Sequence, residues 1–390
     1  MENRKIPSPN AYDFYRAACE AMVDKELAES CSGAACQVDQ RDLTVDEKAA
    51  IVGRNSSALQ TLREGFAYEY LAPEDVRSSP PKTGPYYVIC RQMAKLLQME
   101  SEVLSAKGDP AGAMNSLLDA VHLGTDLPRG GLIIDALIGH AVVLIGLSRS
   151  WRIIDQLGAD AAGTLASRAE SIYSRSWPFA ETLLDEKRLW LANLSEQCDF
   201  RWRFALARQC AFPGLVGLLR AFVHILPLSR AAVLADFERC VDEHIILARM
   251  PYSVACEQPE PTGNYVSRNL LTFGAQSTTQ VTVSSGITQK AFLATELALR
   301  AYRLDHGAYP GDLSDLVPDY LGAVPQDPSA ADAPLRYQID GDRYILYSIG
   351  PDGVDDGGTA IFDPNATYAP RSQYRVHPKS KGDIVAGVNW

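Results

Sequence analysis

Apolar residues recur at mixed three- and four-residue spacings along the first 250 residues, which is the pattern of helices with one buried face. Thr44-x-x-Glu47 matches a capping box, and Ser176-Trp177-Pro178 predicts a break between two helices. We therefore expect an irregular all-helical domain over residues 1–250. Its predicted helices cover about 11–28, 44–66, 86–106, 111–127, 132–157, 159–176, 178–206 and 231–248.

The pattern changes after residue 250, where prolines and polar residues dominate. We place a turn-rich linker at 251–286, and its segment Thr278–Val283 has the composition of a strand or of linker. From Ile287 to Asp305 the apolar spacing again predicts a helix with one buried face. Gly307 suits a left-handed C-terminal cap, and Pro310 prevents the helix from continuing.

Two β-prone runs, 335–339 and 344–349, follow a short amphipathic segment at 313–321. They flank Asp340-Gly341-Asp342, and Asp-Gly between two such runs is a strong hairpin signal. Residues 287–390 are thus predicted to form a small domain in which a helix packs on an antiparallel sheet. The fold class expected for the whole chain is α+β, with a large irregular all-α domain first.

The order of motifs in this last part resembles the periplasmic globular part of type II secretion major pseudopilins. The resemblance extends from Ile287 to about Gly358 and implies a helix, a small sheet and a calcium-binding loop. The polar segment GAQSTTQVTVSSG precedes Ile287, where a pseudopilin has its hydrophobic anchor helix, and it is too polar to span a bilayer. The chain therefore resembles a pseudopilin head joined to helices, and residues 94–127 resemble one tetratricopeptide-like hairpin. The motifs are YR-x-DHG-x-YP (302–310), L-x-x-LVP-x-YL (313–321), VP-x-DP (324–328) and YS-x-G-x-DG (347–353).

Asp352, Asp355 and Asp356, in GPDGVDDGG, form the densest cluster of oxygen ligands in the sequence. The surrounding glycines let the backbone fold tightly and offer carbonyls, and calcium takes about six to eight oxygens. The resemblance implies calcium at the same loop, with Asp383 of Gly382-Asp383-Ile384 as a further ligand. The alternative is a solvated Asp/Gly turn without a metal ion.

The composition restricts the classes of partner that the protein is expected to bind. The chain has 390 residues, a hydrophobic content of 46% and a net charge of -11. This acidic balance argues against a nucleic-acid partner, which requires a basic face. None of the eight cysteines forms a CxxC motif. Cys31 and Cys36 are the most plausible local disulfide, and the alternative is that most cysteines are buried small hydrophobes.

Two apolar runs require a membrane assessment. Leu132–Leu147 is short for a membrane span and is expected to be a buried helix. The run 210–228 contains two prolines as well as Arg220 and His224. It is either a core helix or an amphipathic helix in contact with a membrane surface.

Localisation depends on the N-terminus of the natural protein. Residues 1–7 lack the apolar region of a signal peptide. Since pseudopilin heads lie outside the inner membrane, we expect a periplasmic or envelope location if an upstream anchor was removed. Otherwise a cytoplasmic location is expected.

Three functions remain open at this point. The first is a non-catalytic envelope-associated binding or scaffold protein, with protein partners on the helical domain and a calcium-stabilised head. The second is an enzyme whose site lies in a cleft of the helical domain, near Glu186, Asp236 and His244. Asp236, Cys240 and His244 share a helix face and permit a soft metal, although packing is the commoner role. The third is a peripheral membrane protein that uses 210–228. We expect the first.

Overall fold

About 60% of the chain is helical, and three short strands form one antiparallel sheet, so the predicted α+β class is confirmed. This computed structural model describes residues 4–23, 43–73, 84–196, 225, 229–259, 261–264, 267, 276–366 and 372–389. The helices are α1 (Ala11–Ala21), α2 (Val45–Arg54), α3 (Ser56–Gly65), α4 (Gly84–Ala106), α5 (Pro110–Asp126), α6 (Ile133–Leu147), α7 (Ser150–Ile154), α8 (Ala159–Ser174), α9 (Phe179–Glu196), α10 (Arg230–Ala248), α11 (Tyr252–Ala255) and α12 (Gln276–His306).

The sheet follows α12 and a short 3-10 helix, Leu313–Leu316. Its strands are β1 (Arg336–Asp340), β2 (Arg343–Ser348) and β3 (Ile384–Val385), in the order β1-β2-β3. Asp340 pairs with Arg343, so the hairpin loop has only two residues, and Gly341 there has a φ of 60°. That positive φ suits a primed turn, and the hairpin predicted from Asp-Gly is confirmed.

Local side-chain chemistry sets several helix starts. At α2 the Thr44 N–H donates to Glu47 Oε2 (2.8 Å), and the Glu47 N–H donates to Thr44 Oγ1 (3.3 Å), which is the predicted capping box. At α5 the Gly112 N–H donates to the Asp109 carboxylate (2.8 Å), and Pro110 occupies the first turn.

The centre of the molecule is the contact between α8 and α12. Both helices present buried alanines there, so their backbones approach closely and larger apolar side chains fill the surroundings. The same hydrophobic cluster continues to Leu346 of β2 and Ile384 of β3. Helices α5–α8, α11 and α12 therefore share one core with the sheet, and the remaining helices pack around two further hydrophobic clusters. The alanines are Ala162, Ala166 and Ala169 on α8 and Ala294, Ala298 and Ala301 on α12.

The prediction for the residues before Ile287 was wrong. The helix begins at Gln276, and Thr278–Val283 is helical rather than strand or linker. The β-branched residues there have low helix propensity, but Thr279 and Val281 are each 3% exposed, and burial outweighs propensity. The boundary expected between 286 and 287 thus lies inside one continuous helix.

The stretch expected to begin the linker is attached to the C-terminal part. Tyr252 of α11 is 2% exposed, and its hydroxyl donates to the Pro378 carbonyl (3.3 Å). The neighbouring Ser253 hydroxyl donates to the Ser329 carbonyl. From α8, the Glu170 carboxylate accepts the N–H of Gly322 at 2.9 Å. These bonds fix the loops of the C-terminal part against the helices.

One helical stretch among the described residues, Ile133–Ile154, is long and apolar enough to cross a membrane, with a mean hydropathy of 1.5. It comprises α6 and α7, which a turn at Ser148 and Arg149 separates, whereas a single helix over 132–157 was expected. In the structure α6 packs against α4, α5, α9 and α12. The buried helix expected for Leu132–Leu147 is only partly buried, because 39% of the apolar window is buried and Ile134 is 42% exposed.

Two expectations lie outside the described residues: the pairing of Cys31 with Cys36, and the helix at 210–228 apart from the buried Ile225. Of the described cysteines, Cys19, Cys90 and Cys240 are buried and Cys256 is exposed, all as free thiols.

The contact between α5 and α6 gives a stability prediction. A Cβ built on Gly139 would lie 2.5 Å from the Gly124 carbonyl oxygen, which is backbone and cannot rotate away. Gly139→Ala should therefore lower the free energy of unfolding by about 1–3 kcal/mol, because overpacking outweighs the gain in helix propensity. Urea denaturation followed by circular dichroism measures it.

The matched control is Gly53→Ala, inside α2, where a Cβ meets nothing within 4 Å. That substitution should raise the free energy of unfolding by about 0.5–1 kcal/mol. Equal effects of the two substitutions would contradict the close contact between α5 and α6.

Candidate functional site

The first candidate is the loop 350–358, where the sequence predicts calcium ligands. The structure brings Asp383 to this loop, and its side chain is fully buried. Asp383 Oδ2 accepts the N–H of Gly358 (2.7 Å), and Oδ1 accepts the N–H of Asp356 (3.4 Å). Burial raises the pKa of Asp383, and these two hydrogen bonds oppose the rise. The carboxylate thus holds the loop through its backbone.

Two of the other predicted ligands, Asp355 and Asp352, also have protein partners, and the third, Asp356, is exposed. Asp355 accepts hydrogen bonds from Arg336 Nε (3.2 Å), the Tyr347 hydroxyl (3.1 Å) and the Gly357 N–H (3.1 Å). Burial alone would raise the pKa of Asp355, but these bonds outweigh it and lower the pKa. Asp352 accepts the N–H groups of Val354 and Gly382, each at 3.3 Å.

Protein donors occupy three of the four predicted ligands, since Asp383 and Asp352 accept hydrogen bonds from backbone N–H groups and Asp355 accepts one from Arg336. A calcium centre would need several of these oxygens directed at one point. Within the described ranges, no group of three or more His, Cys, Asp and Glu side chains is placed to hold a metal ion. Calcium binding by Asp352, Asp355, Asp356 and Asp383 stays a prediction.

A further buried carboxylate, Asp327, was not singled out from the sequence. It is 3% exposed and accepts hydrogen bonds from the Ser348 hydroxyl (2.6 Å) and the Ile349 N–H (3.0 Å). It fixes the VP-x-DP loop to the end of β2. The sequence signal for Asp327 was its position between two loop prolines that precede a strand. The role of Asp327 is structural.

The residues suggested for an enzyme site in the helical part also have structural partners. Glu186 accepts the Ile133 N–H (3.1 Å) and so caps the start of α6. Asp236 accepts hydrogen bonds from the Ser267 hydroxyl (2.6 Å) and the Asn264 N–H (2.8 Å). His244 Nδ1 lies 2.6 Å from the Cys240 carbonyl oxygen of its own helix. These groups hold helices and loops in place.

A second candidate site is a cavity of about 30 Å³ between α5, α6, the start of α9 and α12. Its walls are mostly apolar, with Val143 and Ile287 among them, and five of its lining residues are polar. The Thr125 hydroxyl donates to the Val121 carbonyl, and the other four are His140, Trp177, Thr182 and Lys290. Thr182 is 1% exposed and Lys290 is 7% exposed, so both polar groups are nearly removed from solvent.

Close packing between α6 and α12 determines the positions of two nitrogen-bearing side chains, His140 and Lys290. A Cβ on Gly286 would lie 2.5 Å from His140 Nδ1, so only glycine admits the imidazole at this point. Lys290 follows four residues later on the same face of α12. Burial, together with the charges of Lys290 and Arg375, lowers the pKa of His140 to about 4.

The sequence did not predict this cavity. Its residues come from four helices separated by up to 166 positions, from Gly124 to Lys290, and no short motif joins them. A lysine on the apolar face of a predicted helix was the only local signal.

Comparisons with known protein families, curated proteins and solved structures found no match to this chain.

The loop geometry predicts that Asp383→Ala lowers the free energy of unfolding by about 2–3 kcal/mol, because two loop N–H groups lose their acceptor. Chemical denaturation measures it. The control Asp319→Ala, at an exposed position, should change the free energy by less than about 0.5 kcal/mol.

The melting temperatures of the wild-type protein and of Asp355→Ala test the predicted calcium site. If the carboxylates act only through protein donors, millimolar calcium should leave the melting temperature of the wild-type protein unchanged. A rise in the wild-type melting temperature that disappears in Asp355→Ala would instead establish the predicted calcium site.

The buried histidines predict acid sensitivity. The pKa values of His140 and His122 are both lowered to about 4, chiefly by burial, from an unfolded value of 6.5. Between these pH values the unfolded chain binds more protons, so the free energy of unfolding falls as pH falls, by up to roughly 3 kcal/mol per histidine. His140→Gln should reduce this slope when stability is measured from pH 7 to pH 4. The exposed His306→Gln serves as the control, and an unchanged slope in His140→Gln would contradict the assignment.

Proposed function

We propose that the protein is a non-catalytic binding or scaffold protein of the cell envelope, related to secretion or pilus-like assemblies. Its helical layers contact protein partners, and its C-terminal part serves as a pseudopilin-like head. The motifs between Tyr302 and Gly353 support the relation to secretion, and the folding of these motifs as a helix against an antiparallel sheet is consistent with it.

The single observation that carries the proposal is the core shared by the helical layers and the sheet through α12. A helix of 31 residues that packs along α8 and against β2 fixes the head relative to the helices. A scaffold benefits from such rigidity, because pre-organised surfaces lose less conformational entropy when they bind a partner.

Exposed aromatic side chains supply contact points at both ends of this rigid unit. Trp151, between α6 and α8, is 47% exposed, and the Arg152 guanidinium lies 4.9 Å from its ring centroid. Phe362, after the sheet, is 52% exposed. Large aromatic side chains are enriched among the residues that dominate binding energy at protein interfaces.

The alternative, an enzyme with a site in the helical part, is favoured by one observation. The cavity beside Lys290 brings five polar side chains into an apolar environment. Such surroundings are typical of sites that bind small molecules. The residues differ from Glu186, Asp236 and His244, which the sequence suggested.

Photo-crosslinking in cells tests the scaffold proposal. A photoreactive amino acid at position 151 or 362 should form crosslinks to an identified subunit of a secretion or pilus-like assembly, because both side chains are exposed. The control position is the exposed Lys107, at the end of α4. Mass spectrometry identifies the products. If positions 151 and 362 give no crosslinks beyond those at 107, the proposal is wrong.

A further inference from the structure

The cavity between α5, α6, α9 and α12 contains more hydrogen-bonding capacity than its walls satisfy. Among the described residues, His140 Nδ1, Trp177 Nε1 and Thr182 Oγ1 are buried without a hydrogen-bond partner. Lys290 lines the same cavity and is 7% exposed. Leaving such groups unpaired in an apolar interior costs roughly 1–3 kcal/mol each.

The unsatisfied groups are mainly donors. An indole N–H only donates, a lysine ammonium only donates, and a hydroxyl can donate. The guanidinium groups of Arg4 and Arg129 lie 4.7 and 5.0 Å from the Trp177 ring centroid, and their charges are paired with nearby carboxylates. Arg129 Nε has no hydrogen-bond partner among the described residues.

The nearby carboxylate, Asp126, is already engaged. It is fully buried and accepts hydrogen bonds from the Tyr15 hydroxyl (2.6 Å) and from Arg175 (3.0 Å). The cavity thus contains donors without acceptors, and protonated Lys290 is the positive charge among its lining residues, so an acceptor with negative charge is the complementary ligand.

Size and lining restrict that ligand. A volume of about 30 Å³ holds two or three water molecules, which corresponds to a ligand of about three or four non-hydrogen atoms. Ala136, Val143, Val283 and Ile287 give the walls an apolar character suited to an alkyl group. A short aliphatic carboxylate combines both properties, whereas an inorganic oxyanion would place polar oxygens against the apolar walls.

We propose that this cavity binds a small aliphatic carboxylate of the size of acetate. The Lys290 ammonium supplies the counter-charge, and the Thr182 hydroxyl and the Trp177 indole N–H donate hydrogen bonds to the carboxylate. The alkyl end packs against Val143 and Ile287.

The environment of Lys290 adds a pH dependence to this binding. Burial lowers the pKa of Lys290 to about 7, and the charge of Asp126 opposes the change. Other charged or titratable groups near this region are His140 from α6, Arg375 from the C-terminal segment, Arg175, which pairs with Asp126, and Arg4 and Arg129 beside Trp177. With a pKa of about 4, His140 is neutral above pH 5 and does not contribute to a transition near pH 7.

A carboxylate ligand stabilises the protonated amine, so it raises the pKa of Lys290 when it binds. Affinity should therefore be highest below pH 7 and fall by up to tenfold per pH unit above it, as the free protein loses the proton.

Isothermal titration calorimetry of the full chain with acetate tests the proposal at about pH 6 and about pH 8.5. We expect a one-to-one complex at the lower pH and affinity at least tenfold weaker at the higher pH. Lys290→Met keeps a long side chain but removes the charge, and it should abolish binding. Lys107→Met removes the same charge from an exposed position and should bind as the wild-type protein does.

Thr182→Val preserves the side-chain shape, and it tests acetate binding in the cavity if Lys290→Met does not fold. It should weaken acetate binding by about tenfold, since one hydrogen bond to a charged group is lost. No heat of binding in the wild-type protein at the lower pH would overturn the proposal and assign the cavity to water alone. Undiminished binding in a folded Lys290→Met protein, or in Thr182→Val, would place acetate elsewhere and overturn it equally.

Discussion

The rest of the structure depends on the close contact between α8 and α12. Alanines on both helices allow the backbones to approach, and the dispersion energy of this dry contact accumulates over many small pairs. Because α12 also packs against β2, the same helix belongs to the helical layers and to the sheet. Polar bonds add orientation: Glu170 binds the Gly322 N–H, and Arg300 Nε donates to the Leu157 carbonyl (3.1 Å). The apolar contact supplies most of the stabilisation, and the hydrogen bonds fix the angle at which the sheet meets the helices.

Features encoded by a few neighbouring residues could be predicted from the sequence. The Thr44–Glu47 capping box, the Asp-Gly hairpin and the helix break at Trp177-Pro178 all follow from local backbone chemistry, and all are present. The first half of α12 could not be predicted in this way. Its Ser, Thr and Val residues favour extended structure locally, and the helix forms there because tertiary packing buries one side of it. The polar character that suggested a linker reflects a buried face rich in hydroxyls, including Ser285 and Thr288.

The two candidate sites also differ in how much of each could be predicted from the sequence. The aspartates of loop 350–358 were visible as a cluster, and the structure places Asp383 against the backbone of the same loop. What the sequence did not contain was the direction of each carboxylate, which depends on the positive-φ glycines that present N–H groups to it. The Lys290 cavity contains no cluster in sequence at all. It exists because Gly286 admits the His140 imidazole and because Trp177 closes a gap between helices.

The continuity of α12 has a consequence for how this chain can evolve. A pseudopilin-like head joined by a flexible tether could be exchanged between proteins as a module, since few contacts would cross the junction. Here buried residues of α8 and α12 belong to one hydrophobic cluster, so recombination at residue 286 would separate surfaces that pack together. Relatives of this protein should therefore show paired substitutions on these two helices, and the C-terminal part should be inherited together with the helices that cover it.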